Sequence, residues 1–252
     1  MQERDLLKQF STILVIPCFN EEKRIVSSDY SEFLDRYTDF FLLFVNDGST
    51  DGTEKTLNEI SPGHNRVHVL GNVKNKGKAE AVRQGVLYSL THYEFDYIGF
   101  ADADLSTPLG EFISFKYLLQ EKPEITIVLG SRVQMLGKQI YRNLYRHWFA
   151  RIIATLICKI LDEPVYDTQC GAKLFRRDYA ALLFKEPFIS KWLFDVELLA
   201  RYKTRIPLKF KDTILESAVS TWTEKEDSKL KYRYTPRILL DLLRIRQFYF
   251  KK

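Results

Sequence analysis

The chain has 252 residues, 45% of them hydrophobic and 14% aromatic, and carries a net charge of +5. That suffices for one large α/β domain or two small ones, and no linker, low-complexity tract or internal repeat divides it, which favours one. Cys18, Cys158 and Cys170 lack ligand-like spacing, which argues against a zinc site or disulfide framework and for a reducing compartment.

Apolar runs alternate with helical patterns through the first half. Thr12 to Pro17 reads as a strand, Glu22 to Tyr37 as a helix, Phe41 to Asn46 as a strand and Asp51 to Ile60 as a helix. Arg66 to Leu70 is a predicted strand, Lys76 to His92 a helix, Asp96 to Ala101 a strand, Pro108 to Gln120 a helix and Thr126 to Gly130 a strand. Uniformly apolar strands separated by helices indicate an α/β fold, a mostly parallel sheet with helices on both faces. Ligands of such sheets bind beyond the carboxyl ends of the strands. Pro17 to Glu21, Asn46 to Ser49, Asp102 to Asp104 and Ser131-Arg132 all follow strand ends, and are expected along one rim.

The second half is less regular. Lys138 to Leu161 is predicted as one long helix with apolar pairs every four residues. That stripe drifts by about 40° per step, so it must break or touch two surfaces, unless it is simply a well-buried core helix. Arg151 and Lys159 interrupt its apolar stretch, which is too short to cross a bilayer, and Met1 to Ser11 has no signal-peptide core. Ala172 to Phe175 is a predicted strand and Asp195 to Thr204 a helix. Pro207 to Phe210 and Leu215 to Thr221 read as extended, and Thr235 to Phe250 as a final helix. On that helix Arg237, Asp241, Arg244, Gln247 and Lys251 share one face, while Ile238, Leu239, Leu242, Ile245 and Tyr249 cover another, with Lys252 at the tip. It either lies on a membrane surface or packs on the domain.

Asp102 and Asp104, two apart at a strand end, can turn both carboxylates toward one hard cation that grips a nucleotide diphosphate. In the loop after the second predicted strand, Ser49 or Asp51 can cap the next helix, while Asp47 can accept a hydrogen bond from a nucleobase. Lys76-Gly77-Lys78 opens a helix whose charge and free amides can meet an anion, or else presents two solvated lysines. A modest positive charge suits nucleotide, phospholipid or plain solubility. No dense basic stripe with interleaved aromatics appears, so a nucleic-acid partner is not expected.

The motifs Val15-Ile16-Pro17-Cys18-Phe19-Asn20-Glu21-Glu22, Val45 to Gly52, Asn75 to Lys78, Ala101-Asp102-Ala103-Asp104 and Gly130-Ser131-Arg132 resemble those of family-two inverting glycosyltransferases of the GT-A fold, with its single Rossmann-like sheet. Asp167 to Phe175, Trp192 to Leu199, Trp222-Thr223-Glu224 and Ser228-Lys229 are similar to dolichyl-phosphate glucosyltransferases, cousins of the mannose synthases. The resemblance implies a catalytic domain over residues 1–235 with the helix of 236–252 appended, and 138–161 facing acceptor or membrane. By it Pro17, Phe19, Glu21, Val45 and Asp47 hold the nucleoside of UDP-glucose, with GDP-mannose the alternative; Lys76, Lys78, Asp102, Ala103 and Asp104 complete the donor-binding set. Asp102 and Asp104 hold Mg²⁺ or Mn²⁺, and Arg132 and Arg146 meet the phosphate of a polyprenyl or dolichyl acceptor. Asp195 is the general base if one is used, as a glycan or other hydroxyl acceptor would require, and a helix N-cap otherwise. Asn46 departs from the family's usual Asp, and Ser106 stands where the mannose synthases have a metal-contacting Gln. No N-terminal anchor of the family's kind is expected, and the resemblance then implies peripheral attachment to the cytoplasmic face of a membrane. An inactive nucleotide-binding relative is the non-enzyme alternative, and the intact aspartates argue against it.

Overall fold

The computed structural model describes residues 8–60, 65–141, 144–223 and 235–251, and within them the backbone alone at 8–10, 141, 144–149 and 235–236. They divide into two compact units, residues 1–105 with 174–187, and residues 106–173 with 188–252.

The first unit contains strands β1 (Lys8–Cys18), β2 (Phe40–Asn46), β3 (Val67–Gly71) and β4 (Tyr93–Phe100), alternating with helices α1 (Ser27–Arg36), α2 (Thr53–Ile60) and α3 (Lys78–His92). Its strand order is β3-β2-β1-β4, followed by β7 (Lys173–Arg176), which leads into α6 (Arg177–Leu183). β1 to β4 pair in parallel, with Ile13 opposite Phe41 and Cys18 opposite Asn46. All of β2 is buried, as a strand covered on both sides must be, which explains its unbroken apolar sequence. α3 packs on β1, β2 and β4. Its Gly85 permits that approach, because a Cβ there would lie 2.4 Å from Val15 and 3.0 Å from Val45.

The second unit contains α4 (Glu111–Glu121), β5 (Ile127–Ser131), β6 (Gln139–Tyr141), α5 (Leu144–Leu161), α7 (Phe194–Arg205), α8 (Phe210–Thr213), β8 (Ile214–Ala218), β9 (Thr221–Thr223) and α9 (Thr235–Phe250). β5 pairs in parallel with β8, and β6 with β9. α9 packs against α5 and α7. No helix among the described residues is long and apolar enough to cross a membrane.

Three predicted elements differ. The helix expected from Glu22 begins only at Ser27. The Glu22 amide instead donates to Asp51, its carboxylate accepts from the Gly52 amide, and Asn20 takes a left-handed φ of 53°, so this stretch is tied to a neighbouring loop. The long helix expected over Lys138–Leu161 is interrupted: Gln139–Tyr141 is a strand, and the Gln139 amide donates to the Ser220 carbonyl. Its partner lies far along the chain, where local periodicity carries no signal. α5 buries Ile153, Ile157 and Leu161 and exposes Ile152, so only half of each later apolar pair turns inward. Finally, the stretch expected to be extended before Phe210 is irregular and runs into the single-turn helix α8.

Candidate active site

In the first unit, β2, β1 and β4 are parallel neighbours, so the loops leaving their carboxyl ends share one edge. The first two loops brace each other. The Asn20 amide donates to Ser49 Oγ (3.1 Å), the Thr50 amide to Asn20 Oδ1 (2.9 Å), and the Glu21 amide to Thr53 Oγ1 (2.8 Å). Asp51 caps α2, accepting from the Thr53 amide and hydroxyl. What little burial Asp51 has opposes ionisation, but those bonds and the Glu22 amide outweigh it and hold its carboxyl below the ordinary value. Asn46 Oδ1 accepts from the Ser49 amide at 3.2 Å, a turn-forming role in which Asn replaces Asp without loss. Gly48 has φ 68°, and a Cβ there would meet the Lys74 and Asn75 backbone at 2.7 Å.

Asp47 is buried, and its two oxygens accept from Asn72 Nδ2 (3.0 Å) and the amides of Lys76 (2.9 Å) and Gly77 (2.7 Å). The expectation of free amides at the start of α3 is therefore corrected at Lys76 and Gly77, since Asp47 takes both. Asp47 shapes the 72–77 loop, and any nucleobase contact would be additional to these bonds. Val45 is buried and faces α3, so a ligand could reach only its backbone. Pro17 and Phe19 are half-buried at the end of β1, and Lys76 is exposed.

Asp102 and Asp104 lie beyond the end of β4 in a turn closed by the Leu105 amide on the Asp102 carbonyl (3.1 Å), not on the extended backbone expected. Ala103 points inward between them, while both carboxylates remain half-exposed. The buried Tyr30 hydroxyl donates to the Ala103 carbonyl at 2.7 Å and pins the turn from below. Burial first, then Cys18 and the nearby carboxylates Asp104 and Glu21, push that hydroxyl well above its ordinary pKa, so it stays a proton donor. Two cations attend the turn. Lys78 Nζ sits 2.5 Å from Asp102 Oδ1, and Arg24, paired with Glu21 at 2.7 Å, lies 3.9 Å from Asp104.

The donor set fits a hard divalent ion. Two carboxylates from one turn suit Mg²⁺ or Mn²⁺, whose remaining positions are filled by water and phosphate oxygens. Among the described residues no group of three or more His, Cys, Asp or Glu could hold a metal ion alone, so such an ion would depend on the donor's phosphates.

In the second unit, Arg132 follows β5. Its Nε and one terminal nitrogen donate to the two oxygens of Asp167 at 2.7 and 2.8 Å, and its amide donates to the same carboxylate. The guanidinium lies 5.2 Å from the Trp222 ring centroid. Glu216, on β8, accepts from the Tyr166 and Asp167 amides, fixing the chain that carries Asp167. Asp195 is buried in the first turn of α7 and takes the Lys173 ammonium at 2.5 Å. It is not the N-cap, a position held by Leu193 without a side-chain bond. Cys170 is buried and its thiol pushed up by that burial, which disfavours a nucleophilic role. Ser106 is buried, and its carbonyl accepts from the Thr223 amide. Arg146 is in α5, but its side chain is outside the described residues, as are Trp148, Glu224, Ser228 and Lys229.

Asp167, Lys173 and Arg24 bond to candidate site residues, and Glu216 to the Asp167 amide; sequence reasoning gave none of these four a role. The first two stand in the quoted stretch Asp167 to Phe175, where a lysine inside an apolar strand was the available signal.

Comparison with known proteins gives the family and the fold. Residues 13–184 match the model of glycosyl transferase family 2. A dolichyl-phosphate beta-glucosyltransferase of Trichomonas vaginalis is 32% identical, covering 93% of this chain and 72% of that protein. The human dolichyl-phosphate beta-glucosyltransferase is 33% identical over 88% of this chain and 70% of its own length. Among solved structures, glucosyl-3-phosphoglycerate synthase from Mycobacterium tuberculosis, in complex with Mn²⁺, UDP and glucosyl-3-phosphoglycerate, superposes with a TM-score of 0.70. It covers 94% of this chain and 80% of its own at 20% identity, a likeness of fold. A mostly parallel sheet carrying this rim of loops, with the family match across more than half the chain, makes it a member of glycosyl transferase family 2, a GT-A glycosyltransferase similar over most of its length to dolichyl-phosphate β-glucosyltransferases.

Proposed function

We propose that the protein transfers glucose from UDP-glucose to a polyprenyl or dolichyl phosphate, with inversion. The observation that carries the phosphate acceptor is the buried Lys173–Asp195 pair. A hydroxyl acceptor needs a base within reach of its proton, and the Asp195 carboxylate is buried and committed to the Lys173 ammonium at 2.5 Å. A phosphate monoester is already anionic at neutral pH and needs only to be placed. Names of relatives at about one-third identity support the same acceptor and a glucosyl donor; GDP-mannose is the second donor to test.

In the reaction, a phosphate oxygen of the acceptor bonds to the anomeric carbon as the bond to the nucleoside diphosphate breaks on the opposite face. A divalent ion held by Asp102 and Asp104 would offset the negative charge that develops on the leaving diphosphate. The chain's own residues do the positioning. Asp47 shapes the 72–77 loop, the Asn20–Thr50 and Glu21–Thr53 bonds fix the loops after β1 and β2, and Asp167, which takes the Arg132 fork itself, fixes with Trp222 where that guanidinium can meet the acceptor phosphate.

Arg132→Ala is therefore expected to raise KM for a short polyprenyl phosphate and lower kcat, with UDP binding little changed. Asp195→Asn, assayed per folded protein because it strands the buried Lys173 ammonium, should cost less in turnover than the roughly 10²–10⁴-fold of a lost general base. Steady-state kinetics with UDP-glucose and GDP-mannose, against a polyprenyl phosphate and a soluble glycan, tests both. Loss of turnover in Asp195→Asn with normal Arg132→Ala would favour the glycan acceptor instead.

Attachment to an anionic bilayer through α9 belongs to this reading, but not through the face expected from sequence. Ile238, Leu242 and Ile245 are buried in the second unit, whereas Leu239, Leu240, Leu243 and Phe248 are exposed. Asp241, the one acid of α9, is buried too, so its outward face combines apolar groups with Arg237, Arg244 and Arg246. That combination suits anionic headgroups above an acyl boundary. Leu240→Glu with Leu243→Glu should abolish salt-sensitive flotation with phosphatidylserine liposomes while leaving the melting temperature in place. Equal flotation of the double variant would remove α9 from the contact.

A further inference from the structure

Lys173 opens the apolar strand β7 and is buried. Its ammonium donates to the Cys170 carbonyl at 2.6 Å and to Asp195 Oδ1 at 2.5 Å. Apolar residues of similar volume hold a core as well as a buried ion pair does, or better, so stability alone does not account for a lysine there. What the ammonium holds is the 167–173 segment. At its start Asp167 takes the Arg132 guanidinium on both oxygens and the Arg132 amide on one, and the Gln169 amide closes on Asp167 at 3.1 Å. Near its end the Ala172 carbonyl accepts from the Gly130 amide at 2.9 Å, two residues before Arg132. Segment and β5 are in close contact, since a Cβ on Gly130 would lie 2.9 Å from the Ala172 carbonyl oxygen and 3.0 Å from Cys170 Sγ. Arg132 is therefore held to the segment at both side chain and backbone. Lys173 joins that segment to the first turn of α7.

We propose that Lys173 is a positioning residue for the acceptor: by tying the Cys170 carbonyl to Asp195 it fixes the 167–173 segment and, through Asp167 and Ala172, the place of the Arg132 guanidinium. Asp195 serves as the anchor of that tie. This rests on the reading of Arg132 as the group that meets the acceptor phosphate, and adds to it the residue that sets its position. All of these residues belong to the second unit, whereas Asp47, Asp102 and Asp104 belong to the first. Loss of the tie should thus weaken use of the acceptor and leave nucleotide binding as it is.

The test is steady-state kinetics with UDP-glucose and farnesyl phosphate on the full chain, with UDP binding measured by calorimetry. Lys173→Met alone strands the Asp195 carboxylate, so it is combined with Asp195→Asn, which leaves no buried charge. Lys173→Leu with Asp195→Leu is the second pair if the first folds poorly. The paired variant should raise KM for farnesyl phosphate by about 10- to 100-fold, the scale of a small misplacement, while the dissociation constant of UDP stays at the parent value. Asp195→Asn alone keeps an oxygen that accepts from Lys173, and its KM should rise much less. Added to Arg132→Ala, the pair should raise KM no further, because residues that act through one another are not additive. A parent-like KM in the pair, an equal rise in Asp195→Asn alone, or a rise that multiplies with that of Arg132→Ala would overturn the role of Lys173 and leave Arg132 as the acceptor group. A parent-like KM in Arg132→Ala would overturn that reading itself, and this inference with it.

Discussion

Asp102→Asn and Asp104→Asn should each fold normally and lose transferase activity by about 10²–10³-fold, the scale on which removing one stabiliser of developing charge acts. Normal folding follows from position. Both carboxylates are half-exposed, and the Lys78–Asp102 ion pair, with both side chains 37% exposed, contributes little stability after solvent screening. The buried parts of the turn are Ala103 and the Tyr30 hydroxyl on its carbonyl, which neither substitution touches. The loss should appear in kcat more than in acceptor KM, because the charge concerned grows on the departing diphosphate. EDTA should abolish parent activity, and Mg²⁺ or Mn²⁺ should restore it. Full turnover in EDTA, or in both variants, would sink the metal assignment.

The parts of this arrangement that could be read from sequence are those that local pattern specifies. β2 is buried along its whole length, and an unbroken run such as Phe-Phe-Leu-Leu-Phe-Val announces that without a structure. Placing the polar clusters at strand ends then gave the rim of loops after β1, β2 and β4. What stayed illegible depends on partners remote in sequence. Gln139–Tyr141 is a strand because Thr221–Thr223 pairs with it, and nothing within those three residues distinguishes that from a helical turn. Asp47 showed as a carboxylate at a strand end, but its engagement by Asn72, Lys76 and Gly77 required the fold. Asp195 was readable as a base or a cap; Leu193 holds the cap position instead, and the Lys173 ammonium that takes the Asp195 carboxylate comes from a different element. α9 was found with its boundaries intact, and Ile238, Leu242 and Ile245 of its expected apolar face are buried, as packing on the domain requires; only Leu239 of that face is exposed, and Asp241 of the expected polar face is buried.

The second large effect expected is on stability, at the buried network joining α7 to α9. Glu197 and Arg201, one turn apart, are both almost wholly inaccessible and paired at 2.7 Å. Glu197 also accepts from the Ile189 and Ser190 amides and from the Tyr249 hydroxyl at 2.9 Å, and Arg201 lies 4.4 Å from the Phe188 ring centroid. Asp241 adds a parallel tie by accepting from the Ser190 hydroxyl at 2.7 Å, while that oxygen accepts from the Trp192 and Leu193 amides. Removing one member of a buried pair strands the other charge, so Arg201→Met should destabilise the protein by about 3–5 kcal/mol. Glu197→Leu should cost at least as much, because it also leaves two backbone amides without their acceptor. Glu197→Gln combined with Arg201→Met should recover part of that loss, since the amide oxygen can still accept and no charge is stranded. Urea unfolding of the singles and the double measures this directly. Were Arg201→Met to cost under about 1 kcal/mol, the pair would behave like a screened surface bridge and would not hold α9 in place. A cost near the upper figure makes this network the anchor of α9 and of the loop that leads into Asp195.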